Sequence, residues 1–130
     1  MTNQRVLSLL TKLAKENEGV RGKFRLAAGL LYKGHLVATG VNSYKSHPLA
    51  SKYGKNPEAI FLHAETDCIR NALKLLSLRE LAKCDMYVVR IKNDGSYGNS
   101  KCCIGCARAI AEFGIRSVTY YQEDVGWVTQ

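Results

Sequence analysis

Apolar residues return along the first segment at helical spacing. Val6, Leu9, Leu10 and Leu13 stand at i, i+3, i+4 and i+7, with Thr2 or Asn3 placed to cap the turn before them. The pattern predicts a helix from about Asn3 to Glu16. Gly19 and Gly22 break it, and the period changes. Phe24 to Tyr32 and Leu36 to Val41 are extended apolar runs separated by Lys33-Gly34-His35, the spacing of a tight antiparallel hairpin. Asn42 to Glu58 holds both prolines, Pro48 and Pro57, and reads as a long loop. From about Leu62 the 3.6 period resumes, with Ala64, Cys68, Ile69, Ala72, Leu73 and Leu76 on one face to near Leu78. Met86 to Ile91 suits a short buried strand, Asn93-Asp94-Gly95-Ser96 a turn, and Cys103, Ala107, Ile110 and Ala111 a helix that Gly114 stops. Arg116 to Tyr121 is the last strand in the pattern, and the tail to Gln130 carries no period.

The order α-β-β-α-β-α-β implies crossover connections after the opening hairpin. The expected fold is α/β: a three-layer α-β-α sandwich with a central mixed sheet, the hairpin antiparallel and the later strands parallel. With 130 residues, 46% of them hydrophobic, and a mean hydropathy of -0.17, the chain has the composition of one globular domain, expected to span residues 1–130. No apolar run approaches the roughly 18 residues that cross a bilayer, and no signal-peptide pattern precedes the first helix. The expectation is a cytoplasmic protein without membrane association. Nineteen Lys and Arg against eleven Asp and Glu give a net charge of +8, which suits a phosphorylated small molecule or a nucleic acid as partner.

Five cysteines, an odd number, argue for reduced thiols over a disulfide framework, and three of them crowd into Cys102, Cys103 and Cys106. Two short motifs open two consecutive predicted helices: His63-Ala64-Glu65 and Cys103-Ile104-Gly105-Cys106. Cysteines at i and i+3 share a helix face, so both sulfurs can reach one ion. Unsatisfied N–H groups and the positive end of the helix dipole favour the thiolates that zinc requires. One imidazole and two thiolates make three protein ligands, which leaves the fourth tetrahedral position for water, as in catalytic zinc sites. Because two thiolates already cancel the charge of Zn²⁺, an acid–base group is wanted beside the ion, and Glu65 is placed for that role.

These residues resemble the signature of the zinc-dependent cytidine and deoxycytidylate deaminase superfamily, H-x-E followed by P-C-x-x-C. The resemblance runs from the hairpin to the last strand. It implies His63, Cys103 and Cys106 as metal ligands, Glu65 as proton shuttle, and a cytidine-deaminase-like fold. It further implies that Asn42, ending Gly40-Val41-Asn42, contacts sugar or base, and that the Ala64 amide holds the pyrimidine carbonyl. The implied reaction is hydrolytic deamination of a cytosine ring, water adding at C4 while Glu65 protonates N3 and then the departing amine. Enzymes of this type resemble one another in forming homo-oligomers. One departure is Cys102, which stands where the family places proline; it offers Cys102 and Cys106 as a competing pair. Asn93 to Lys101 reads as an insertion between the two motifs.

Other readings share the same residues. A redox Cys-x-x-Cys would use the thiols but leave His63 and Glu65 unexplained, and a structural zinc would need a fourth ligand from Cys68 or Cys84, which read as packing residues. The loop before His63 carries Tyr44, Lys45, His47, Lys52, Tyr53 and Lys55 and no acid before Glu58, so it is either an ordinary wet loop or the substrate's phosphate-friendly cover. His35, in the hairpin turn, reads as solvated. Arg21, Lys23 and Arg25 form a basic stripe without an assigned purpose. The sequence points to a nucleotide such as dCMP as substrate. The alternatives are a base within tRNA or single-stranded DNA, or a zinc-stabilised nucleic-acid-binding module without catalysis.

Overall fold

The computed structural model describes residues 3–17, 25–43, 63–101 and 104–130. Helix α1 (Gln4–Lys15) begins where Asn3 accepts a hydrogen bond from the Val6 amide and ends at the Glu16 cap, within one residue of the predicted bounds. Its buried side differs from the prediction. Val6, Leu7, Leu10 and Ala14 are buried, whereas Leu9 is 42% exposed, because the arc that meets the sheet is centred on Leu7 and Leu10.

Strands β1 (Arg25–Tyr32) and β2 (His35–Val41) pair antiparallel across the Lys33-Gly34 turn, with His35 exposed at the start of β2. Helix α2 (Ala64–Ala72) is shorter than the apolar period suggests. It stops at the Leu73 cap, and a separate short helix α3 (Leu78–Leu81) follows. The break has a local signal: Ser77 and Glu80 form a reciprocal capping box, which starts a new helix, and Leu73 and Leu75 before it are exposed. Strand β3 (Asp85–Ile91) lies beside β1, antiparallel to it. Helix α4 (Ile104–Glu112) is followed by Gly114 at φ +72°, a left-handed turn that glycine adopts without strain. Strand β4 (Ser117–Gln122) pairs parallel with β3.

The tail is a strand after all. β5 (Gly126–Thr129) folds back antiparallel on β4 after a turn in which Asp124 and Gly126 take positive φ, so Arg116 to Tyr121 is not the last strand. Its four residues are too few to show a period. The sheet order is β2-β1-β3-β4-β5, mixed as expected. Helix α1 covers one face through Val6, Leu7, Leu10 and Ala14 against Ala27, Leu31, Val89 and Ile91. On the other face α2 and α4 pack against Ala28, Leu30, Ala38, Met86 and Val88. The result is the three-layer α-β-α sandwich. Each buried Val, Leu, Ile or Met side chain here contributes about 1.5–3 kcal/mol relative to exposure.

Because β1 is antiparallel to both its neighbours and β3 is parallel to β4, strands β2, β3 and β4 run the same way. The helix that follows β2 and the helix that follows β3 therefore both start beside the carboxyl ends of those strands, where α/β sheets bind ligands.

Candidate active site

His63 is the N-cap of α2, in extended conformation, and its side chain does not cap the helix. Thr66 Oγ1 donates to the His63 carbonyl at 3.1 Å, and the imidazole, not engaged in capping, is available to the neighbouring helix. Its Nδ1 lies 3.3 Å from Sγ of Cys106, a buried thiol in the first turn of α4. The two motifs, 43 residues apart in sequence, therefore meet at the origins of two helices. Glu65, in the first turn of α2, is 3% exposed. Ala64 is buried beside it, and its amide belongs to the first helical turn, where backbone N–H groups have no acceptor within the helix.

Helix α2 is locked over β2 at unusually close range. A Cβ on Gly40 would stand 2.2 Å from the Cys68 amide nitrogen and 2.5 Å from the Ala64 carbonyl oxygen, so only glycine lets the helix backbone approach this strand. Three side chains complete the attachment. Asp67 Oδ2 accepts from the Val41 amide at 3.0 Å, Asn71 Nδ2 donates to the Thr39 carbonyl at 2.8 Å, and Cys68 Sγ donates to the Ala38 carbonyl at 3.5 Å. Asp67 also pairs with Arg70.

Asn42 follows β2 directly. Its Oδ1 accepts from the Leu26 amide at 2.9 Å and from Asn17 Nδ2 at 3.0 Å, and Asn17 Nδ2 also donates to the Asn42 carbonyl at 2.8 Å. The carboxamide oxygen thus continues the β1–β2 ladder past its end and ties it to the residue after α1. Asp67, Asn71, Asn17 and Gly40 are the positioning residues that sequence reasoning missed as such. Asp67 had one signal, an acid four residues after His63 on the helix that carries it, and Gly40 another, as the first residue of Gly40-Val41-Asn42.

Cys68 and Cys84 are fully buried free thiols, as the packing reading expected. Burial first, and then the charges of Asp67 and Glu65, push the Cys68 thiol well above its ordinary range. Burial and the charges of Asp85 and Glu80 raise Cys84 likewise. Both therefore stay protonated and are poor metal donors. Arg25, the described member of the basic stripe, donates from Nη1 to the Lys15 carbonyl at 3.3 Å. Cys102, Cys103, Tyr44, Lys45, His47, Lys52, Tyr53, Lys55, Arg21 and Lys23 lie outside the described residues.

Zinc is the ion this donor set fits. Bonds of about 2.3 Å to sulfur and about 2.0 Å to nitrogen at a tetrahedral centre set the two donor atoms about 3.5 Å apart. His63 Nδ1 and Cys106 Sγ are already within 0.2 Å of that spacing, at 3.3 Å.

A mixed five-stranded sheet clasped by these helices, with an imidazole, a thiol and a carboxylate at the helix origins, defines a class of zinc-binding deaminase domains. The sequence model described as the cytidine and deoxycytidylate deaminase zinc-binding region matches residues 1–122, and the chain belongs to that family. Zinc is accordingly its implied cofactor. Among solved structures, the chain resembles cytidine deaminase from Burkholderia pseudomallei at 15% identity and a TM-score of 0.69, over 100% of this chain and 92% of that one. It also resembles dCMP deaminase from the cyanophage S-TIM5, at 19% identity and a TM-score of 0.55 for the apo form, over 90% and 82%. The form in complex with dCMP and dUMP gives 17% identity and the same TM-score. Comparison with curated protein sequences finds no match. Among the described residues no helix is long and apolar enough to cross a membrane.

Proposed function

We propose that this deaminase hydrolyses the exocyclic amine of a cytosine ring carried on a mononucleotide such as dCMP. The observation that carries the reading is the 3.3 Å approach of His63 Nδ1 to Cys106 Sγ beside the buried Glu65. His63, Cys106 and Cys103 would hold the zinc. When bound, it supplies Lewis acidity that lets a water give up a proton near neutral pH.

The chain's own residues do the rest. Glu65 takes the proton, hands it to N3 as oxygen adds at C4, then takes the remaining proton of the new C4 hydroxyl and delivers it to the amino nitrogen as the C4–N bond breaks and the C4 carbonyl forms. Cytosine and water become uracil and ammonia, with atoms in balance. Its burial keeps bulk water from competing for that proton. The Ala64 amide, aimed from the helix start, holds the ring carbonyl, and Asn42 contacts the sugar or base from the end of β2. Tyr44, Lys45 and His47 supply the cover and the cation for the phosphate. A protein of this kind acts in the cytoplasm on soluble nucleotides and associates with copies of itself.

A nucleoside substrate is the second reading, since a cytidine deaminase is among the structures whose fold this chain shares. Ammonia release by zinc-loaded protein from cytosine, deoxycytidine, dCMP, guanine, adenosine, tRNA and single-stranded DNA separates the possibilities. A charge-assisted phosphate contact contributes about 1.5–3 kcal/mol, so kcat/KM for dCMP should exceed that for deoxycytidine by about tenfold or more. Deoxycytidine turning over as fast as dCMP overturns the nucleotide assignment, no ammonia from any cytosine compound overturns the cytosine assignment, and no ammonia from any member of the panel overturns the deaminase reading.

A further inference from the structure

The registered parallel pairing of β3 with β4 covers only Asp85↔Ser117, Met86↔Val118 and Tyr87↔Thr119. Beyond it the chain from Lys92 to Ser100 turns back between the two strands. Tyr97 bridges to Ile91, the Gly98 amide donates to the Arg90 carbonyl at 2.9 Å, and Asn99 Oδ1 accepts from the Glu123 amide at 2.7 Å. It overlaps Asn93 to Lys101, the stretch that reads as an insertion between the His and Cys motifs, and structurally it is a wedge.

Ser100 is the tip of the wedge, 1% exposed. Its Oγ donates to the Val88 carbonyl at 2.8 Å and accepts from the Tyr121 amide at 2.8 Å, while its own amide donates to the Tyr121 carbonyl at 2.9 Å. One hydroxyl thus replaces the missing rungs between two diverging strands, using donor and acceptor at once. Six residues further on stands Cys106, opposite His63. Nothing else in the sequence separates the wedge from α4 except Lys101 and the two cysteines before Ile104.

We propose that Ser100 is a positioning residue for the metal centre, fixing where α4 begins and so the separation between Cys106 and His63. The inference rests on the zinc-deaminase reading above. Removing the hydroxyl strands the buried Val88 carbonyl and the half-buried Tyr121 amide, which the wedge relieves by shifting, and α4 shifts with it. Outer partners of this kind set metal affinity by about 10–100-fold.

The test compares zinc affinity, by competition with a chromophoric chelator, in wild type, Ser100→Ala, Ser100→Thr and Ser117→Ala. The last removes a hydroxyl that bonds Asp85 at the far end of the same strands. Ser100→Ala should lose about tenfold or more in affinity and alter the thiolate-to-cobalt band of Co²⁺-loaded protein. Ser100→Thr, which keeps the hydroxyl, should recover most of it, and Ser117→Ala should match wild type. Equal affinity in Ser100→Ala and Ser117→Ala overturns the inference.

If Ser100→Ala does not fold, amide exchange in wild type decides, because the coupling is reciprocal. Zinc should then protect the Tyr121 amide more than the Val118 amide, which bonds the Gln130 carbonyl away from the wedge. Equal gains overturn it. Wild type that binds no zinc at all defeats the earlier reading instead, so the two failures are distinguishable.

Discussion

At the scale of single residues, the chemistry is local and the supports are not. His63-Ala64-Glu65 and the Cys-x-x-Cys spacing could be picked out of the sequence because donor type and helix position are written in three or four adjacent letters. The roles of Asp67, Asn71 and Asn17 could not, because each depends on which strand carbonyl or amide a fold brings opposite, and that register lives in contacts 25 to 32 residues away. Glu65 has a sharp test. Glu65→Gln keeps the shape but cannot carry a proton, so kcat on the preferred cytosine substrate should fall by about 10²–10⁴-fold while zinc per chain stays at the wild-type value. Parallel turnover and metal assays check it, and undiminished turnover would remove Glu65 from the proton path.

Among the elements, those with a full period and a cap were legible to within a residue or two, as α1 and the β1–β2 hairpin show. Where the reading failed, a short-range signal competed with a longer one. The apolar run after Ala72 continues a helical face, yet Ser77 and Glu80 begin a new helix. β5 reveals itself only through pairing with β4.

The contact of α2 with β2 was equally out of reach, since Gly40 reads as strand and as the start of Gly40-Val41-Asn42, and neither reading says that a helix backbone crosses it. Its atoms make a prediction. Gly40→Ala sets a methyl group against α2 backbone, which cannot rotate away, so the helix must lift. Apo stability should drop by about 1–3 kcal/mol, as for an overpacked core, and zinc affinity should fall with it because His63 and Glu65 ride on that helix. Urea midpoints and chelator competition measure the two. A variant with wild-type values for both would show that the strand and helix separate freely.

The whole molecule carries a charge of +8, which bears on substrate size. A protein gripping a polynucleotide through many phosphates loses about 10³–10⁵ in affinity between 50 and 200 mM salt through released counterions. A mononucleotide engages few phosphates, so kcat/KM for dCMP should change by less than about tenfold over that range. A steep fall would mean that the polymer is the true substrate and the mononucleotide a fragment of it.

The meeting of α2 and α4 at His63 and Cys106 has a wider consequence. Two helix origins, each bearing partial positive charge, are brought together at one point, where they favour the thiolate form of Cys106, and under the proposed assignment that anion is what lets a dication settle there. Competence then becomes a quantity set by the free zinc of the surroundings. Two preparations of identical chain can differ in specific activity while sharing one backbone trace, and mixing in metal, rather than refolding, should bring them level.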